Sequence, residues 1–413
     1  MPSLPGFRDF YPADCALRNA IISAWRQAAS AYGFAEYDGP PLEPLDLYTR
    51  KSGGEIVQQL YHFTDKGDRE VALRPEMTPT LARMAAAKHR EYKKPLKWFS
   101  VPQVFRYERA QRGRLREHFQ FNCDIVGEAA LHADVELISL VIDTLLRLGL
   151  QTEDFVVRLS DRQFWTQFLT DRNVPESDWY GIFQAIDKSE REDEAKTREK
   201  LGPLADEVIA ILKGESNAAS PQLDEVIASL EAAGYGDYLK RDLTIVRGLA
   251  YYTGVVFEVF DRQGEFRAIA AGGRYDDLLQ NLCGVDLPAL GFGMGDVVLG
   301  EILKSRQRGA GGTEAAPRLD AFLVVPEENF RPRALVLARK LRDQDLAVDL
   351  PLGDIHPKKL GKQFQTAEER GAAFAVIVDA LLDSGRVAVK NLRERRQEEI
   401  PLEALSQHLR TAG

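Results

Sequence analysis

Phe105-Arg106-Tyr107-Glu108-Arg109-Ala110-Gln111-Arg112-Gly113-Arg114-Leu115-Arg116-Glu117-His118 holds five arginines within eleven residues and runs straight into a strand-like stretch at 119–126. A second strand-like stretch, 98–105, precedes it. The pattern predicts strand, arginine-rich loop, strand. A guanidinium binds two oxygens at once through planar donors, so such a hairpin can gather several arginines around one phosphate. Alternate residues of a strand share a face, so Arg106 and Glu108 are expected to point the same way. An exposed hairpin of solvated charges fits the same residues.

Working outward, the spacing predicts an N-terminal helix. Asp14 is a suitable cap, and Leu17, Ile21, Ile22, Trp25, Ala28, Ala29 and Tyr32 recur at helical intervals until Gly33. An extended run at 34–37 ends at Pro40-Pro41. A helix is predicted over 134–148, with Gly149 as its stop, and strands over 254–260 and 266–271. Between them, 161–240 changes character. The run KSEREDEAKTREK (188–200) is almost all charge and reads as a solvated helix face or loop. Apolar residues return at helical spacing at Leu204, Val208, Ile209 and Leu212, then at Leu223, Val226, Ile227 and Leu230. We read this stretch as a helical insertion in a core domain. Residues 306–317 (RQRGAGGTEAAP) have linker composition. Strand periods at 321–326, 346–350, 373–378 and 386–392 then alternate with helical periods at 331–343, 358–370 and 402–409. That predicts a compact α/β domain and a division into 1–316 and 317–413.

Composition narrows the function classes. Of the 413 residues, 44% are apolar and 28% charged, which excludes a mainly disordered chain. The longest stretch without a charge, 248–257, is far too short for a membrane helix. The first residues lack the basic-then-apolar pattern of a signal peptide, so secretion is not expected. Cys15, Cys123 and Cys283 lie far apart, which gives neither a metal knuckle nor a disulfide framework and fits a reducing cytoplasm. A net charge of −9 argues against coating nucleic acid by bulk charge but leaves room for a local basic site. The acidity sits in front: 317–413 holds 16 basic and 15 acidic residues.

Three further segments carry chemistry. In Leu73-Arg74-Pro75-Glu76-Met77-Thr78, a carboxylate and a hydroxyl two residues apart can hold an ammonium group; a plain helix start fits equally. In Val246-Arg247-Gly248-Leu249-Ala250-Tyr251-Tyr252-Thr253-Gly254, one arginine precedes a neutral run with adjacent tyrosines. A guanidinium in a water-poor setting needs an anion, either a ligand or a structural carboxylate. The glycine-rich Ala271-Gly272-Gly273-Arg274-Tyr275-Asp276 and Gly291-Phe292-Gly293-Met294-Gly295-Asp296 permit close approach to a flat ligand or tight packing of strand on helix.

In this order, the segments resemble those of histidyl-tRNA synthetases, a family of class II aminoacyl-tRNA synthetases. LPGFRDFYP (4–12), LRPEMT (73–78), FRYERAQRGR (105–114), RGLAYYTGVVFE (247–258) and AGGRYDDLL (271–279) each resemble a segment of that family, and 358–378 is similar to its anticodon-binding domain. FRxER followed by GR is general to the class, whereas RGLxYYTG is specific to histidyl enzymes. The resemblance implies an α+β catalytic domain with a mostly antiparallel sheet flanked by helices. It implies a homodimer that uses the first helix and residues 33–42, and a two-step reaction. Histidine attacks the α-phosphorus of ATP to give histidyl-adenylate, and the terminal ribose of tRNA(His) then takes the histidyl group. The resemblance also assigns residues. Glu76 and Thr78 would bind the α-ammonium of histidine, with Gln120 helping, and Arg106 would meet the α-phosphate. Arg114 would meet the distal phosphates, and Arg247 would be a second cation at the α-phosphate. Tyr251, Tyr252 and Tyr275 would wall the histidine pocket, and Asp124 stands where the family usually reads the imidazole with glutamate. Arg109 and Gln111 would lie near the acceptor end of the tRNA. Mg²⁺ would arrive with ATP, held by phosphate oxygens and water, with no dedicated protein metal site.

Two departures accompany the likeness. Val298 stands where the third class motif normally has an arginine for the nucleotide, and Ala250 where many members have an acid. A site retuned around them is one reading. The alternative is a catalytically silent relative, like the regulatory subunit of ATP phosphoribosyltransferase, which lacks the anticodon domain and usually the histidyl-specific arginine. A generic ATP-binding transferase leaves the tail unexplained.

Overall fold

The computed structural model describes residues 2–49, 59–109, 113–215, 219–246, 251–309 and 319–410. The chain forms two compact units: Met1–Asp9 with Arg18–Gly311, and Phe10–Leu17 with Gly312–Gly413.

The first unit is built on a sheet of nine strands among the described residues. In chain order these are β1 (Ala35–Glu36), β5 (Leu96–Ser100), β6 (Gln103–Phe105), β7 (Glu117–Val126), β8 (Phe155–Asp161), β9 (Leu239–Arg241), β10 (Val255–Asp261), β11 (Ala270–Arg274) and β12 (Ala289–Gly295). A separate ribbon contains β2 (Leu42–Pro44), β3 (Tyr61–Thr64) and β4 (Glu70–Leu73). The large sheet runs β1-β5-β7-β12-β11-β10-β8-β9, with β6 paired to β7. Its five central pairings are antiparallel and its two outer ones parallel. This is the mostly antiparallel sheet expected.

Helices cover the sheet where the sequence offers an apolar stripe. The helix Pro12–Ala31 buries Ile21, Trp25, Ala28 and Ala29. Trp25 stacks on Phe121 of β7, with ring centroids 5.6 Å apart. Truncating such a buried ring typically costs about 3–5 kcal/mol. The helix begins at Pro12 rather than after Asp14, because proline's fixed φ and missing N–H suit the first helical position; Asp14 lies in the first turn. The helix His132–Arg147 is capped by Leu148 and followed by Gly149, whose φ of +82° favours glycine. The insertion contains the helices Arg162–Asp171, Glu176–Lys188, Glu194–Leu201, Ala205–Leu212 and Pro221–Ala232. The charge run lies at its surface, where Arg198 pairs with Glu194 and Asp206, and Lys213 with Glu194.

The second unit has a five-stranded mixed sheet in the order β14-β13-β15-β16-β17. Its strands are β13 (Ala321–Val324), β14 (Val348–Asp349), β15 (Phe374–Ile377), β16 (Arg386–Asn391) and β17 (Arg396–Pro401). Ala321, Leu323 and Val325 pack into one apolar cluster with Leu337, Leu341 and Leu405, while Phe322 and Val324 join a second with Ala367 and Leu392. A sheet buried on both faces explains the unbroken apolar run at β13.

Three local expectations are corrected. The strand placed at 266–271 begins only at Ala270, because the Asp261 carboxylate accepts hydrogen bonds from the backbone N–H groups of Glu265 and Phe266 and holds 262–266 in a turn. β17 gave no strand signal, because this exposed edge strand alternates no apolar face. The helix Asp296–Gly309 extends into the segment read as linker, the rest of which lies outside the described residues.

Candidate active site

β7 supplies the floor of the site. His118, Gln120, Asn122 and Asp124 alternate with Phe119, Phe121, Cys123 and Ile125, so the polar set shares one face and the apolar set the other. His118, Gln120 and Asn122 line a cavity of about 840 Å³ that Glu76, Thr78, Arg106, Arg114, Tyr251, Tyr252, Tyr275 and Val298 also line. Asp124 lies just below, where its carboxylate accepts the Tyr275 hydroxyl.

β12 makes room for these side chains. Gly291 lies directly opposite Asp124 in the sheet. A Cβ at Gly291 would sit 2.1 Å from Asp124 Oδ1 and 2.7 Å from the Tyr275 hydroxyl; one at Gly293 would sit 1.9 Å from Gln120 Nε2. These glycines thus let two functional side chains lie flat on the strand. Burial pushes the Asp124 carboxyl up to about 7, against an opposing effect of the Tyr275 hydrogen bond. It holds the Tyr275 phenol well above its ordinary range, assisted by Asp124.

Glu76 is fixed from the other side. The Arg74 guanidinium is buried, donating to Asp38 Oδ1 at 2.9 Å, the Gly39 carbonyl at 2.7 Å and the Gln103 carbonyl at 3.0 Å. The chain then turns through Pro75 to Glu76, and Thr78 opens the helix Thr78–Lys88. Thr78 thus starts a helix, and Glu76 lines the cavity ahead of it. Burial raises the Glu76 carboxyl, while Arg106 and the Tyr251 hydroxyl, 3.2 Å from Oε2, act to lower it. Glu76 Oε1 and Gln120 Oε1 are buried without a hydrogen-bond partner among the described residues. Two orphaned acceptors in one cavity fit a donor-rich, cationic group such as an ammonium.

The arginine segment wraps the rim. Arg106 Nε donates to the Pro75 carbonyl at 2.9 Å, and Arg114 pairs with buried Glu108. The alternation expected for Arg106 and Glu108 does not continue as a strand: β6 ends at Phe105, and the Glu108 N–H turns back to the Arg106 carbonyl. Both still line the cavity. Burial, then the Arg106 and Arg8 cations, push His118 down to about 3, so its imidazole is neutral. Tyr251, Tyr252 and Tyr275 cluster with centroids 5.1–6.5 Å apart. Arg109 is exposed on the loop. Arg247 and Gln111 lie outside the described residues.

Three contributors escaped the sequence reading. His118 was legible in the two-residue alternation of β7. Arg8 donates to Glu117 at 2.7 Å and to Asp296 at 2.9 Å, joining the N-terminal segment to β7 and to the start of Asp296–Gly309. Arg267 lines the cavity from the loop before β11. The last two are long-range meetings with no local signal.

Known proteins resemble this chain in sequence and fold. The sequence profile described as histidyl-tRNA synthetase matches residues 6–295, and that of an anticodon binding domain matches 320–411. A histidine–tRNA ligase of Opitutus terrae is 44% identical over 432 aligned residues, covering 99% of this chain and 98% of that protein. A chloroplastic/mitochondrial histidine–tRNA ligase of Arabidopsis thaliana is 37% identical, covering 97% and 85%. The crystal structure of histidyl-tRNA synthetase from Nostoc sp. PCC 7120 superposes with a TM-score of 0.81 at 25% identity, covering 99% of both chains. The silent-regulator reading is not favoured, because relatives matched over the full length are ligases. The chain belongs to the histidyl-tRNA synthetase family.

Proposed function

We propose that this histidine–tRNA ligase activates L-histidine in the β7 cavity, with each side chain in the role its position suits. The observation that carries this is the meeting, in one cavity, of two orphaned carbonyl-type acceptors, an arginine and a tyrosine cluster above a buried aspartate. Glu76, Thr78 and Gln120 take the α-ammonium. Asp124 and Tyr275 read the imidazole from below, and Tyr251 and Tyr252 wall it. The histidine carboxylate, already ionised, attacks the α-phosphorus of ATP; the new P–O bond forms as the bond to pyrophosphate breaks. No general base is needed. Arg106, with Arg247, stabilises the charge that builds on phosphorus, and Arg114 holds the distal phosphates. Removing one such donor costs ~10²–10³ in rate. Mg²⁺ enters as part of the ATP substrate.

The terminal ribose of tRNA(His) then takes the histidyl group, with Arg109 and Gln111 at its acceptor end. Residues 1–316, with an insertion over 161–240, form the catalytic part, and 317–413 the anticodon-binding part. Lys358, Lys359 and Lys362, all exposed, offer the latter a basic patch. The working form is a cytoplasmic homodimer; among the described residues no helix is long and apolar enough to cross a membrane.

Purified protein is expected to exchange pyrophosphate into ATP only when histidine is present, and Arg247→Ala to cut that exchange far more than it weakens histidine binding. Histidine-independent exchange, or full exchange by Arg247→Ala, would contradict these roles.

A further inference from the structure

Among the described residues, Val297 and Val298 form the cavity lining in the first turn of the helix Asp296–Gly309, with Val298 only 6% exposed. A position for Cβ on Gly113 lies 3.4 Å from Val298 Cγ2, so this apolar patch adjoins Arg114 and the arginine hairpin. A polyphosphate there would meet valine methyl groups on one side.

The neighbouring strand supplies an alternative. Ala270 lies opposite Met294, and the Gly295 N–H donates to the Ile269 carbonyl at 3.3 Å. The chain just before β11 therefore runs beside the strand end that leads into Val297 and Val298. Because β11 starts at Ala270, Arg267 is not a strand residue; it sits exposed on the preceding loop and lines the same cavity. It is also the lone charge between Glu265 and Arg274.

We propose that Arg267 is a nucleotide-binding residue of this chain, its guanidinium serving the phosphate chain of ATP from the loop before β11 in place of a cation at position 298. The proposal rests on the reading of the cavity as the ATP site. Arginine suits the task through two parallel N–H···O bonds, which position the phosphates as well as attract them.

The test is titration calorimetry of ATP with the full chain, alongside histidine-dependent exchange. Arg267→Ala is expected to weaken ATP binding about tenfold or more while leaving the KM for histidine within about twofold. Val298→Arg introduced into Arg267→Ala is expected to recover most of the loss, which a merely structural defect would not allow. Unchanged ATP affinity in Arg267→Ala overturns the proposal whatever the exchange assay gives. So does a loss that neither Arg267→Lys nor the Val298→Arg addition restores. Failure of the functional reading would show instead in the wild-type chain, as exchange that ignores histidine.

Discussion

Asp124 and Gly291 make a pair in which one residue's chemistry depends on the other's lack of a side chain. A methyl group at Gly291 would fall 2.1 Å from Asp124 Oδ1. Gly291→Ala is therefore expected to raise the KM for histidine by ~10² while moving the KM for ATP little, since a displacement of about 1 Å at a reacting group costs that much. Steady-state exchange kinetics with each substrate varied will check it. Asp124 also makes stability depend on pH. Its carboxyl is held up to about 7 in the folded chain, against an ordinary 3.8. The folded state thus keeps a proton that the unfolded chain releases. The resulting stability is whole below about pH 4 and is lost as pH rises to 7. Asp124→Asn does not titrate, so its Tm should gain on the wild type between pH 4.5 and pH 8. An equal gap at both pH values would argue that Asp124 is not buried as described.

At the scale of elements, the N-terminal segment holds the floor of the site. Arg8 bridges Glu117 of β7 and Asp296, whose carboxylate also accepts the Phe119 N–H at 2.9 Å. Arg8→Met would leave two buried carboxylates without their cation and is expected to cost about 3 kcal/mol, read by urea unfolding. Elements with a strong apolar period were legible in the sequence: the first helix, the helix after β7, and the paired faces of β13. Where a polar side chain overrides the local pattern, reading failed. Asp261 capping a turn delayed β11, and the polar edge strand β17 carried no period. Within the site, Glu76, Arg106 and Gln120 came from motif resemblance, and the cavity brings them together. His118 was available from alternation alone. Arg8 and Arg267 act across the fold, and short-range spacing does not encode such meetings.

For the whole molecule, the proposed division of labour makes a separable claim. The fragment 1–317 should still exchange pyrophosphate with histidine, because every described residue lining the cavity lies within it. It should charge tRNA poorly, because it lacks 320–411, which match an anticodon binding domain. Normal charging by this fragment, measured with radiolabelled histidine and tRNA, would contradict the assignment. A crystal structure of the full chain with a non-hydrolysable histidyl-adenylate analogue is the most direct measurement of all. The account predicts the imidazole within hydrogen-bond reach of Asp124 and Tyr275, the ammonium on Glu76 and Gln120, and the phosphate substitute at Arg106. An analogue bound outside the β7 cavity, or lying in it with its imidazole turned away from Asp124, would contradict it.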